Sequence, residues 1–169
     1  MTHSHAEPIQ ANTLAAEQTK ARGVIKKYTL IAAGCGTIPV PIIDAAAVAS
    51  LEIMMIDELA ETYHRPFPGR LALIKALMSL IGSLGPIYLA HHSQSAVKGV
   101  PLVGHLISAT LLSTTNAVAV YAVGRVFQLH FESGETLLSR DNQTLRRLFQ
   151  RQQREGREQL PQLLASTAS

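Results

Sequence analysis

Three long stretches of the chain carry almost no charge, and breakers divide or border each of them. The first, 28–43, contains no Asp, Glu, Lys or Arg but is cut by Pro39 and Pro41. Proline removes a helical hydrogen bond and holds the preceding residue extended. The pattern therefore predicts two helical legs, 28–38 and about 42–63, joined at a turn at Pro39 and Pro41, with Asp44 one turn into the second leg. A single membrane-spanning helix needs roughly 20 uninterrupted apolar residues. The first leg is too short, and the apolar part of the second carries Asp44 and Glu52. The pair reads as a helical hairpin that either enters one leaflet or packs into a core. At a helix N-terminus Asp44 can cap backbone N–H groups; at membrane depth a carboxylate would mark an ion path.

After the loop HRPFPGR, the stretch 71–89 approaches spanning length with Lys75 as its only charge, although Gly82, Gly85 and Pro86 weaken its second half. His91 and His92 follow, but adjacent helical side chains do not share a face. The third stretch, 105–121, has no Asp, Glu, Lys or Arg. Within and just beyond it, Ser108, Leu112, Thr115, Ala119 and Ala122 recur at spacings of three and four and form one row of mostly small residues. Such a row lets helices approach closely and lets hydroxyls bond across the contact; the other reading is the lining of a shared pore. From 135 to 164 the pattern changes: Leu138, Leu145, Leu148 and Phe149 form an apolar stripe beside Arg140, Arg146, Arg147, Arg151 and Arg154. A basic amphipathic helix of this kind sits on an anionic surface or docks on a partner.

The fold expected is all-α: helical hairpins forming a compact apolar bundle, with a basic amphipathic C-terminal helix. The division is a polar tail and lead-in helix (1–25), an apolar hairpin domain (26–134) and the basic C-terminal helix and tail (135–169). Composition agrees with heavy burial or membrane association: 47% of the 169 residues are hydrophobic and 16% charged, against about a quarter charged in ordinary domains. The net charge of +3 collects at the two ends, which points to cytoplasmic termini beside an anionic membrane surface. No basic N-terminal segment leads directly into an apolar core, so a secretory leader is not expected, and the inner membrane or the cytoplasm is the expected location. Nucleic acid is not an expected partner, because the basic residues are not interleaved with stacking aromatics. The single Cys35 excludes an internal disulfide framework.

Nucleotide, hydrolase and zinc motifs are absent. GCGTIPV runs into a proline bend where a phosphate loop would open a helix, and no G-x-S-x-G, H-E-x-x-H or C-x-x-C occurs. Glu58 and Glu61 share a helical face but read as solvated acids. No enzyme activity, cofactor or metal is expected.

Several residues in order resemble a known family: Lys26-Lys27-Tyr28; Ile38-Pro39 with Pro41 and Asp44; Met54, Ile56, Leu59, Ala60 and Tyr63; the turn at Pro101 and Gly104; and Tyr121, Gly124, Arg125, Phe127, Phe131 and Gly134 in YAVGRVFQLHFESG. They resemble the bacterial GTPase-associated membrane domain of unknown function (domain of unknown function 697). That resemblance implies association with the lipid bilayer and a GTPase-linked role, and no catalytic residues to carry over. This chain has no GTPase domain, so the GTPase would be a separate protein. The expected function is a non-enzymatic, membrane-associated helical protein that forms a homo-oligomer or docks that GTPase. The alternatives are a channel-like or pore-forming homo-oligomer and a soluble helical scaffold.

Overall fold

The structure, a computed structural model, describes residues 6–35, 41–65, 69, 75, 103–134 and 142–166, and the side chains within 12–34, 47–65, 113–134 and 143–166 together with those of 69 and 75. Four long helices stand out among the described residues: α1 (Ala6–Cys35), α2 (Pro41–Thr62), α3 (Val103–Ser133) and α4 (Asn142–Ala165). The all-α expectation holds. α1 is one helix from the lead-in segment through the first apolar leg, running across position 25. Pro41 opens α2, where the missing N–H costs nothing and the fixed φ is already helical.

α3 packs against each of the other three helices. Its floor is fully buried Val120, Val123, Val126 and Phe127, which meet Ile25 of α1, Met55, Ile56 and Leu59 of α2, and Phe149 of α4 in one core. The helices come closest at Gly124. A Cβ there would lie 2.9 Å from Ile25 Cγ1 and 2.9 Å from Met55 Sδ, so glycine is what lets α1 and α2 both reach α3 at this level. Gly156 does the same for α4: a Cβ there would sit 2.7 Å from the Tyr121 ring.

These contacts fix direction. Ser113 Oγ donates to the Ala33 carbonyl, one of the carbonyls a helix C-terminus leaves without an intrahelical donor. With Gly124 beside Ile25, α3 runs antiparallel to α1. Met55 beside Gly124 and Tyr63 stacked on Phe131 (5.9 Å between ring centres) make α2 parallel to α3. The C-terminus of α2 and the N-terminus of α3 therefore lie at opposite ends of the bundle. Tyr121 against Gly156 and Val118 in one cluster with Leu160 make α4 antiparallel to α3.

α2 ends in a Schellman motif, with Arg65 N–H donating to the Ala60 carbonyl (2.9 Å) and His64 N–H to that of Glu61 (3.1 Å). His64 holds the left-handed conformation (φ 53°) that glycine usually takes. α3 ends at Gly134 (φ 68°), where a Cβ would lie 3.1 Å from the Arg65 guanidinium. One cation thus lies beside both helix C-termini, where the dipoles favour it.

Overpacking a tight site typically costs about 1–3 kcal/mol. Gly124→Leu is expected to lower stability by that amount or more in equilibrium denaturation. Gly23→Leu, where a Cβ meets nothing within 4 Å, is expected to leave stability unchanged or raise it by up to about 1 kcal/mol through helix propensity.

Candidate functional site: a polar seam and a charge boundary

The charged half of α3 carries Tyr121, Arg125, Gln128 and Glu132 at steps of four, three and four, so they share one stripe. The stripe is linked to helices on both sides. Tyr63 of α2 donates its hydroxyl to Glu132 Oε1 (2.9 Å), and Gln128 Nε2 donates to the same oxygen (2.9 Å). Arg125 Nη1 donates to Gln128 Oε1 (2.5 Å), and Nη2 approaches Glu155 of α4 at 3.9 Å. The Tyr121 hydroxyl lies 3.0 Å from both Glu155 Oε1 and Gln159 Oε1. Its single proton goes to the carboxylate, the charged acceptor. Gln159 Nε2 also donates to Glu155 (3.2 Å).

Burial and then the Glu155 carboxylate push the Tyr121 phenol up to about 12; burial and then Glu132 raise that of Tyr63 further. Both are neutral hydrogen-bond donors at physiological pH. Among the described residues, no group of three His, Cys, Asp or Glu side chains could hold a metal ion.

Beside the seam a groove of about 440 Å³ opens between α1, α3 and α4. Arg22 and Lys26 form one wall, Tyr121 and Arg125 the floor, and Glu155 and Gln159 the opposite wall.

Beyond the seam the character of the bundle changes. α1 has no Asp, Glu, Lys or Arg after Lys27, and α4 has none after Glu158; α3 has none before Arg125, and α2 has only Asp44 before Glu52. The antiparallel and parallel pairings put Lys27, Glu52, Arg125 and Glu158 within about one turn of each other along the bundle axis. One end of the bundle therefore carries all but one of these helices' charged residues. Lys27 reaches Glu58 across the α1–α2 contact at this level (2.5 Å), an exposed pair that contributes little to stability. Glu52 is buried at the boundary, 2% exposed, and its Oε1 has no hydrogen-bond partner among the described residues.

The residues singled out from sequence fall as follows. Ala119 and Ala122 are buried in the bundle, Thr115 is exposed, and the side chains of Ser108 and Leu112 lie outside the described residues. Asp44 is in the first turn of α2 with its side chain outside them, as are Pro39, Leu138, Arg140, His91, His92 and the stretch 76–89. Leu145 and Phe149 are buried and Leu148 is packed against the core, so α4 spends its apolar stripe on α3. Arg147, Arg151 and Arg154 are exposed and Arg146 partly so. Met55, Ile56 and Leu59 are core, whereas Met54 is 57% exposed. Sequence reasoning passed over the seam and the groove: the stripe spacing on α3 was visible, but its partners Tyr63 and Glu155 are remote in sequence.

Fold and site together define an all-helical bundle with a buried polar seam and its charge gathered at one end. The chain belongs to the family described as domain of unknown function 697, whose sequence profile matches residues 3–158. It is 32% identical over 142 residues to magnetosome membrane protein 22 of Magnetospirillum gryphiswaldense, covering 81% of this chain and 70% of that protein. No solved structure matches.

Burial alone raises the Glu52 carboxyl from 4.5 to about 8. The folded state then keeps a proton that the unfolded state has lost. Stability contributed by protonated Glu52 is complete below about 4.5 and is lost as pH rises to about 8, at roughly 1.4 kcal/mol per pH unit. Glu52→Gln is expected to be more stable than the parent at pH 8 and to match it near pH 4. Denaturation midpoints across that range check this; equal slopes for the two proteins would contradict it.

Proposed function

We propose that this protein is a non-catalytic, membrane-associated helical protein whose charge-poor end, with Asp44 as its one charged residue among the four helices, enters one leaflet, leaving its charged end in water. The segregation of charge carries this reading. Measured from the boundary, the charge-free parts of α1 and α4 are roughly 12 and 10 Å long, and the part of α2 holding only Asp44 is roughly 16 Å. The hydrocarbon of one leaflet is about 15 Å deep. α3 continues further with no Asp, Glu, Lys or Arg. Among the described residues no helix is long and apolar enough to cross a membrane, which fits entry by a bundle end. Of the large apolar side chains described as exposed, Ile31 and Leu164 lie at this end, Met54 at its boundary and Leu14 at the other end. The similarity to a magnetosome membrane protein supports a membrane role.

The finer reading concerns the aqueous side. Arg147, Arg151, Arg154 and Arg157 face outward from α4, and neither ion pair among the described residues uses them. An arginine face on a helix already packed by its other side suits an acidic partner surface. The family resemblance makes a separate GTPase the candidate; a second copy of the chain is the other.

Membranes from cells producing the chain should retain it through high salt and alkaline carbonate and release it to detergent. Ile31→Glu with Leu164→Glu should shift most of it to the soluble fraction while circular dichroism stays helical. Release of the parent by salt alone would contradict entry into the leaflet.

A further inference from the structure

The groove between α1, α3 and α4 has more positive charge than its own residues neutralise. Arg22, Lys26 and Arg125 face a single carboxylate, Glu155. Arg22 and Lys26 take part in neither described ion pair. Arg125 approaches Glu155 only at 3.9 Å, and its Nε is buried without a hydrogen-bond partner among the described residues. The Arg22 charge reaches the floor, where it acts on the Tyr121 phenol against the pull of Glu155. About 440 Å³ is within the range of small-ligand pockets. The α1 wall is bare at Gly23, where a Cβ would meet nothing within 4 Å.

We propose that this groove binds a phosphate monoester group, held by Arg22, Lys26 and Arg125. Three cations against one carboxylate leave an excess of two positive charges. A phosphate monoester carries about −1.5 to −2 near neutral pH, whereas a carboxylate or a phosphodiester would leave a cation uncompensated. Guanidinium groups match phosphate oxygens with paired donors. The group has two sources, the headgroup of a phosphatidic-acid-type lipid or a soluble phosphate ester. The groove lies at the charge boundary, the depth of headgroup phosphates if the apolar end enters a leaflet. The choice of a lipid source rests on that membrane reading; the phosphate chemistry rests on the groove alone.

The test uses the full chain with three probes: phosphatidylcholine vesicles, the same vesicles containing phosphatidic acid, and soluble glycerol phosphate. Three variants are compared. Arg22→Gln with Lys26→Gln removes two groove charges, and Gly23→Leu fills the groove at unchanged charge. Arg147→Gln with Arg151→Gln removes two charges elsewhere. Tighter binding to phosphatidic acid vesicles is expected, weakened roughly tenfold by each of the first two variants and less than about threefold by the third. Equal losses from both charge variants with none from Gly23→Leu would mean diffuse attraction and overturn the groove. Equal binding to both vesicles, with glycerol phosphate leaving the melting temperature unchanged, would also overturn it while leaving membrane entry intact. No vesicle binding, with glycerol phosphate raising the melting temperature of the parent but not of Gly23→Leu, would uphold the groove with a soluble ligand and overturn membrane entry. No response to any probe overturns the groove.

Discussion

The structure depends on the close approach of three helices at Gly124. With no side chain there, Ile25 and Met55 both reach the backbone of α3, and the axial register of α1 and α2 against α3 is set at one point. Gly156 against Tyr121 sets the register of α4 in the same way. Interiors are packed to near-crystalline density, so a helix could not slide by a turn without driving Ile25 or Met55 into the next bulky position of α3, Val120 or Gln128.

That register decides where the charges go. Asp44 apart, each helix changes composition once along its length, and only when they are aligned through Gly124 and Gly156 do the four changes coincide. On one side lies the seam of Tyr63, Glu132, Gln128, Arg125, Glu155 and Tyr121, which pairs polar groups across three helices and leaves Arg125 Nε as its one buried atom without a partner among the described residues. Buried polar groups without partners are costly, and a connected seam limits that cost. On the other side α1 and α4 contribute no charge, and α1 and α3 are joined there by Ser113 and the Ala33 carbonyl. Glu52 sits where the two halves meet and is kept neutral by burial.

Local signals in the sequence carried the elements. The prolines divided the first apolar run, and α1 and α2 end and begin on either side of Pro39. The stripe of Leu145, Leu148 and Phe149 marked the buried face of α4. What stayed illegible depends on pairs far apart in the chain. The small-residue row on α3 was visible, but not that Thr115 would be exposed while Ala119 and Ala122 are buried, because that depends on which helices lie alongside each level. Gly124 stood out only as part of the family resemblance; its importance comes from Ile25 and Met55, about 100 and 70 residues away. Arg22 and Lys26 counted only toward the positive charge at the N-terminal end, and the bundle places them across a groove from Glu155.

Depth in the bilayer tests the central claim most directly. Nitroxide labels at Ile31→Cys, on the charge-poor end, and at Gln150→Cys, on the exposed face of α4, would be read in membranes with Cys35 replaced by Ser. The account predicts that the label at 31 is relaxed more by oxygen than by a water-soluble nickel chelate and that the label at 150 shows the reverse. Equal access of the chelate to both positions would contradict entry of this end into the bilayer.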